Sequence, residues 1–189
     1  MKVSIGVSNR HVHLCEKDLK KLFGDDYKLE IGKEINQPGQ YASTAKVSIK
    51  TNKAIIENVR ILGPTRKYSQ VEISMTDAYK LGLNPPVRES GDLAHSAPIT
   101  IVGPLAEINL ENGCIIADRH IHITKEEAIE KGLEKVKTVS VKVEGEKGGI
   151  LENVKIKISE EAYFELHIDT DDANAHLIKS GDFGTIIYE

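Results

Sequence analysis

The sequence predicts a mainly β protein built as two homologous small β-barrels or sandwiches, each capped by short α-helices. Three observations predict it. Short runs rich in Val and Ile recur along the chain, bounded by Gly, Pro or Asn. Helical patterns are few and short. Motifs from the N-terminal half return, in the same order, in the C-terminal half.

Taken from the N-terminus, RHVHL (10–14) opens as a strand, followed by a helix from Glu16 to Leu22. AKVSIK and AIIENVRIL read as strands because apolar β-branched residues alternate or cluster in them. After SMTD comes AYKLGL, a short helix opened by a Thr or Asp cap and stopped near Gly. APITIVG is the next strand, and IIAD leads through a strand-like stretch into RHIH. Thr124 to Glu127 (TKEE) is a capping-box pattern that opens AIEKGLEK. TVSVKVE and VKIKIS are strands, and after DTDD the stretch ANAHLIKSG is a last short helix.

The repeat is explicit when the halves are laid together. RHVHLCEKDLKKLFG falls on RHIHITKEEAIEKGL at an offset of 109 residues. KVSIK (46–50) resembles TVSVK (138–142) at an offset of 92. IENVRI (56–61) resembles LENVKI (151–156), and VEISMTDA (71–78) falls on LHIDTDDA (166–173), both at an offset of 95. SGD at 90–92 recurs at 180–182. Shifting offsets mean loops of different length on a shared plan. Two copies are too few for a solenoid, so two similar lobes facing one another fit better. There is no linker-like segment between the halves. The strand-like Gly113–Asp118 suggests that the lobes share an interface and exchange strands there.

With 189 residues, 40% of them hydrophobic and 29% charged, the chain has the makeup of a globular protein with a real core. A net charge of −4 argues against a general nucleic-acid binder, while allowing a local basic pocket. Cys15 and Cys114 could pair, but without C-x-x-C spacing they read as two reduced thiols. No apolar run approaches the roughly 20 residues that span a bilayer. The start, MKVSIGVSNRH, is not a signal peptide, so no membrane association and a cytoplasmic location are expected.

Four of the seven histidines lie in the two repeated His-x-His triplets. In a strand His11 and His13 share one face, about 7 Å apart along it, and His120 and His122 do the same. Two neutral imidazoles so placed can converge on zinc or a similar divalent ion. The repeat proposes a third ligand for each. Glu72 lies over His167, and a carboxylate exchanged for an imidazole makes sense for metal ligation but not for shared core packing. Each half therefore offers a trio: His11, His13 and Glu72 in one, His120, His122 and His167 in the other. Three protein ligands with an open position mark catalytic rather than structural zinc. The spacing does not decide between two remote sites and one binuclear site. A binuclear cleft between the lobes is preferred, because a shared site explains why both halves kept their ligands.

Other polar residues say less. Arg10 and Arg119 point to the face opposite the histidines, where salt bridges are expected. Arg66, in the turn-rich GPTRKYSQ, has no counterpart in the second half; it reads equally as a solvated loop arginine or as an anion-recognising fork. Arg88 is a lesser candidate of the same kind. Asp92 and Asp182 read as turn formers, and His95 and His176 as surface or packing residues.

GVSNRHVHL, GPTRKYSQVEIS, VRESGDLAHS and ADRHIH together resemble the PduL-type phosphate propanoyltransferase family, and the resemblance covers essentially the whole chain. It implies two β-barrels capped by short helices, divided as 1–9 plus 118–189 and 10–117, with the metal site between them. It implies a phosphate acyltransferase that converts short-chain acyl-CoA and inorganic phosphate to acyl phosphate and CoA. It implies two divalent ions, most simply Zn2+, held by His11, His13 and Glu72 and by His120, His122 and His167. Arg66 falls on the family's catalytic phosphate-binding arginine, and Ser8 on a serine near the metals. A homodimer is expected, and the CoA-binding residues are not marked. The motif begins at Gly6 without the N-terminal extension of encapsulated members, which points to a free cytosolic enzyme. Rival readings are a metal-dependent thioester hydrolase, a cupin-like oxygenase and a non-enzymatic metal-binding module. The 59 residues separating His13 from Glu72 are far too many for the cupin motif.

Overall fold

A computed structural model describes residues 1–187 of the chain. Its strands begin with β1 (Lys2–Ser8) and β2 (His11–His13), followed by helix α1 (Glu16–Phe23). Next come β3 (Ile31–Glu34), β4 (Tyr41–Lys50), β5 (Ile55–Gly63), β6 (Gln70–Glu72) and helix α2 (Met75–Leu81). They are followed by β7 (Val87–Arg88), β8 (Ala97–Val102), β9 (Glu107–Ala117), β10 (His120–Thr124) and helix α3 (Lys125–Glu130). The chain ends with β11 (Thr138–Val143), β12 (Gly149–Ser159), β13 (Glu165–Asp169), helix α4 (Thr170–His176) and β14 (Phe183–Ile187).

These elements form two compact units, one made of Met1–Asn9 and the chain from Asp118 onward, the other of Arg10–Ala117. The first is a closed six-stranded barrel in the order β1-β13-β10-β12-β11-β14. In the second, β4, β5, β2, β6, β9 and β8 pair in turn and close into a ring, with β3 and β7 added outside it. The described residues are thus mainly β, with two small barrels and four short helices. Among the described residues, no helix is long and apolar enough to cross a membrane.

The two barrels repeat one another strand for strand. Each His-x-His strand lies between a parallel and an antiparallel neighbour: β2 between β5 and β6, β10 between β12 and β13. Alternation sets the faces. Val12 and Leu14 in one unit, and Ile121 and Ile123 in the other, are fully buried in the barrel cores. The intervening histidines therefore face away from those cores. The shared LENV/IENV motif has a structural reason: Asn58 and Asn153 both adopt left-handed φ (59° and 57°). In each case the pairing slips by one residue there, between Val47 and Ile49 and between Val139 and Val141. Asn tolerates this conformation better than other non-glycine residues, so the duplicated asparagine marks a duplicated bulge.

Helix ends adjust two sequence expectations. The α2 cap is Ser74, which accepts a hydrogen bond from the Asp77 N–H, so Thr76 and Asp77 lie inside the first turn rather than at the cap. Its end at Gly82 is left-handed, as a terminal glycine allows. Helix α4 is capped by Asp169 but stops at Leu177 in left-handed geometry, short of Gly181. The Thr124/Glu127 capping box of α3 is complete. Cys15 and Cys114 are both free thiols.

Arg10 and Arg119 make the salt bridges their positions suggest. Arg10 Nε lies 2.6 Å from Asp77 Oδ2, and Arg119 Nη2 lies 2.6 Å from Asp172 Oδ1. Each pair ties the residue before a His-x-His strand to the first turn of a more distant helix, Arg10 to α2 after β6 and Arg119 to α4 after β13. Asp77 is nearly buried while Arg10 is about one-third exposed. Asp77→Ala is therefore expected to cost about 1–2 kcal/mol, a buried-pair loss reduced by solvent screening. A melting temperature within a degree of wild type would refute that anchoring role.

Candidate functional site

The site residues cluster as two trios, and within each the ligand-type atoms all lie within 4.8 Å of one another. In the unit of Arg10–Ala117, β2 supplies His11 and His13, and its antiparallel neighbour β6 supplies Glu72, in register with His11. His11 Nε2 is 3.3 Å and His13 Nε2 3.8 Å from the Glu72 carboxylate oxygens. The two rings meet edge to face with centroids 5.0 Å apart. In the other unit, β10 supplies His120 and His122, and β13 supplies His167 in register with His120. There His120 Nε2 and His122 Nε2 are 3.1 Å apart.

The donor chemistry fits a divalent ion. Zinc–ligand bonds of about 2.0–2.2 Å in tetrahedral geometry put ligand atoms roughly 3.3 Å apart. The observed separations of 3.1 and 3.3 Å meet that, and 3.8 Å is close to it. The protonation states fit as well. Burial, with His11 and the Arg66 guanidinium close by, pushes the His13 imidazole down to about 2, so it is neutral and ligand-ready. The Leu62 carbonyl opposes part of this shift, yet His13 Nδ1 is buried without a hydrogen bond of normal geometry. Burial pushes the Glu72 carboxyl up, but His11 and His13, with a hydrogen bond from Ser90, outweigh it and hold it ionised below the usual range. His120 Nδ1 lies 2.8 Å from the Asp118 carbonyl. A carbonyl can only accept, so Nδ1 carries the proton and Nε2 presents its lone pair to His122.

Arg66 stands beside the first trio. Its backbone N–H donates to the Leu14 carbonyl just past β2, and its Nη1 donates to Ser90 Oγ at 2.9 Å. Ser90 also accepts from Gln70 Nε2 at 2.9 Å, and the same Gln70 amide donates to Glu72 at 2.6 Å. The Gly91 N–H fixes the other end of the Gln70 amide at 2.7 Å. Arg66 and Glu72 are thus joined through Ser90 and Gln70. Arg88 has no part in this network: it lies 3.6 Å from Asp92 and donates to the Val87 carbonyl. Ser8 ends β1 opposite Asp169, on the face that carries Gly6 and hence His167. His95 and His176 lie outside both trios, and Asp92 and Asp182 close equivalent turns on Glu89 and Lys179.

Sequence reasoning missed Gln70, Ser90, Gly91 and Glu165. Gln70 and Glu165 stand at the same offset of 95 that pairs Glu72 with His167. Ser90 and Gly91 lie in the first SGD repeat, so both signals were present.

Comparison with known proteins points one way. A family model described as phosphate propanoyltransferase matches residues 4–179. A phosphate propanoyltransferase of Thermotoga maritima is 48% identical over 98% of this chain and 89% of its own length. One from Lachnoclostridium phytofermentans is 47% identical over 98% of this chain and 87% of its own. One from Salmonella arizonae is 45% identical over 92% and 82%.

Proposed function

This chain belongs to the phosphate propanoyltransferase family and is a phosphate acyltransferase; from that premise we propose that it interconverts a short-chain acyl-CoA and inorganic phosphate with an acyl phosphate and CoA, using two divalent metal ions. The observation that carries the metal reading is the pair of three-ligand clusters at repeated positions. Both halves keep their ligands, which supports the view that both trios serve one reaction, a binuclear one.

The chemistry assigned to each part follows from its surroundings. A divalent ion such as Zn2+, when bound, supplies Lewis acidity for the thioester carbonyl oxygen and a soft partner for the departing thiolate. Arg66 holds the phosphate: one N–H is committed to Ser90, and the rest of its planar fork suits a tetrahedral dianion. A phosphate oxygen attacks the carbonyl carbon, the C–S bond breaks, and CoA leaves as thiolate. Direct attack needs no acyl-enzyme, and the thiols support that. Cys114 is fully buried, and its thiol is pushed up to about 12 by burial and by Asp77. Cys15 sits against Ser69, whose hydroxyl donates to Asp18, with no imidazole in the cluster.

The test is CoA release from acetyl-, propanoyl- and butanoyl-CoA, with and without phosphate and with and without chelator. Release that needs phosphate, stops on chelation and returns with zinc is expected. Release without phosphate would make the protein a hydrolase, and bound zinc with no release from any acyl-CoA would leave a metal-binding module. Arg66→Ala is expected to raise the KM for phosphate about 10–100-fold with a smaller change in kcat. An unchanged phosphate dependence removes Arg66 from that role.

A further inference from the structure

We propose that Glu165 is a positioning residue for metal capture: its carboxylate accepts the Nε2–H of His167 and so fixes which ring nitrogen, and which ring orientation, His167 offers. The inference rests on the metal reading of the His120, His122 and His167 trio. His167 Nε2 and Glu165 Oε2 are 2.9 Å apart, and Glu165 is 5% exposed. A carboxylate kept from water at that distance from an imidazole takes the imidazole N–H, which leaves the lone pair on Nδ1. A histidine ligand backed by a carboxylate is held in one tautomer and made more basic.

Two independent features indicate that the pair is built rather than incidental. The adjacent strand makes room for it. Gly6 on β1 is in register with His167, and a Cβ there would come within 3.0 Å of the Glu165 carboxylate and 3.2 Å of the His167 ring. The second feature is the repeat. Gln70 occupies the position equivalent to Glu165 and hydrogen-bonds Glu72, the equivalent of His167. Where the third ligand is an anion its support is a neutral amide, and where it is an imidazole its support is a carboxylate. Each unit so assembles one negative charge and two further imidazoles, with the charge in the ligand in one unit and behind the ligand in the other.

The experiment isolates the second trio. In a His11→Ala background, zinc is titrated into the metal-stripped full chain against a chromogenic chelator, and cobalt is titrated in parallel to read its visible absorption. Glu165→Ala is expected to weaken zinc binding about 10–100-fold and to alter the cobalt spectrum. Glu165→Gln, whose amide oxygen still accepts the N–H, should lose less. A His122→Ala background reports the first trio, where Glu165→Gln should change nothing. Unaltered affinity in both Glu165 variants overturns the proposal, as does equal weakening of both trios, which would mean damage to the fold. Absence of zinc from the His11→Ala protein itself would instead defeat the metal reading on which the proposal rests.

Discussion

His122→Ala is expected to lower phosphate-dependent CoA release by at least about 10²–10³-fold and to leave the protein with less bound zinc than wild type. His122 is one of three converging donors, and its Nε2 faces the lone pair of His120 at 3.1 Å. Removing it leaves two protein ligands where catalytic zinc ordinarily takes three. His11→Ala should do the same to the other trio, because His11 Nε2 lies 3.3 Å from the Glu72 carboxylate and the two residues are in register. If both trios serve one reaction, the double variant should be scarcely slower than either single one, since groups that act as a unit do not add. His95→Ala, exposed and outside both clusters, should leave activity unchanged. Full activity in His122→Ala, or lost activity with wild-type zinc content in both histidine variants, would remove the metal from the reaction.

The clustering of these residues was legible because the sequence contains its own comparison. One His-x-His triplet has many explanations; two at equivalent strand positions, with Glu72 laid over His167, have few. The same device showed the barrels, since alternation in TVSVK and KVSIK reports a buried face and the repeat multiplies the evidence. What escaped was set by tertiary contact. Gln70 and Glu165 look like polar positions on a half-exposed strand until the fold buries them beside Glu72 and His167. Ser90 becomes visible only when its loop meets both Arg66 and Gln70. The helix caps failed more locally: Ser74, Thr76 and Asp77 are all good capping residues, and the position of β6 decides among them.

Stripped of metal, the protein is expected to lose stability in acid, and His13 supplies part of the slope. Its imidazole is held at about 2 when folded, against 6.5 in the unfolded chain. Between those values the unfolded state binds a proton that the folded state refuses. Stability is therefore fully present above pH 6.5 and falls as pH drops, by roughly 3 kcal/mol between pH 7.5 and 4.5. Glu72 acts in the same direction over a lower window: its folded value is depressed, so its contribution is present above 4.5 and fades as pH falls below that. Urea unfolding of chelator-treated protein at pH 7.5 and 4.5 reads the sum. His13→Gln keeps a polar side chain that does not titrate, so it should remove about 3 kcal/mol of the acid loss between pH 7.5 and 4.5. Zinc held by the trio would steepen the dependence further, because a protonated imidazole has no lone pair left for it and acid must expel the ion before the histidines can charge. Identical pH dependence in wild type and His13→Gln, both metal-free, would show that His13 titrates normally and that its burial beside His11 and Arg66 is not what holds it neutral.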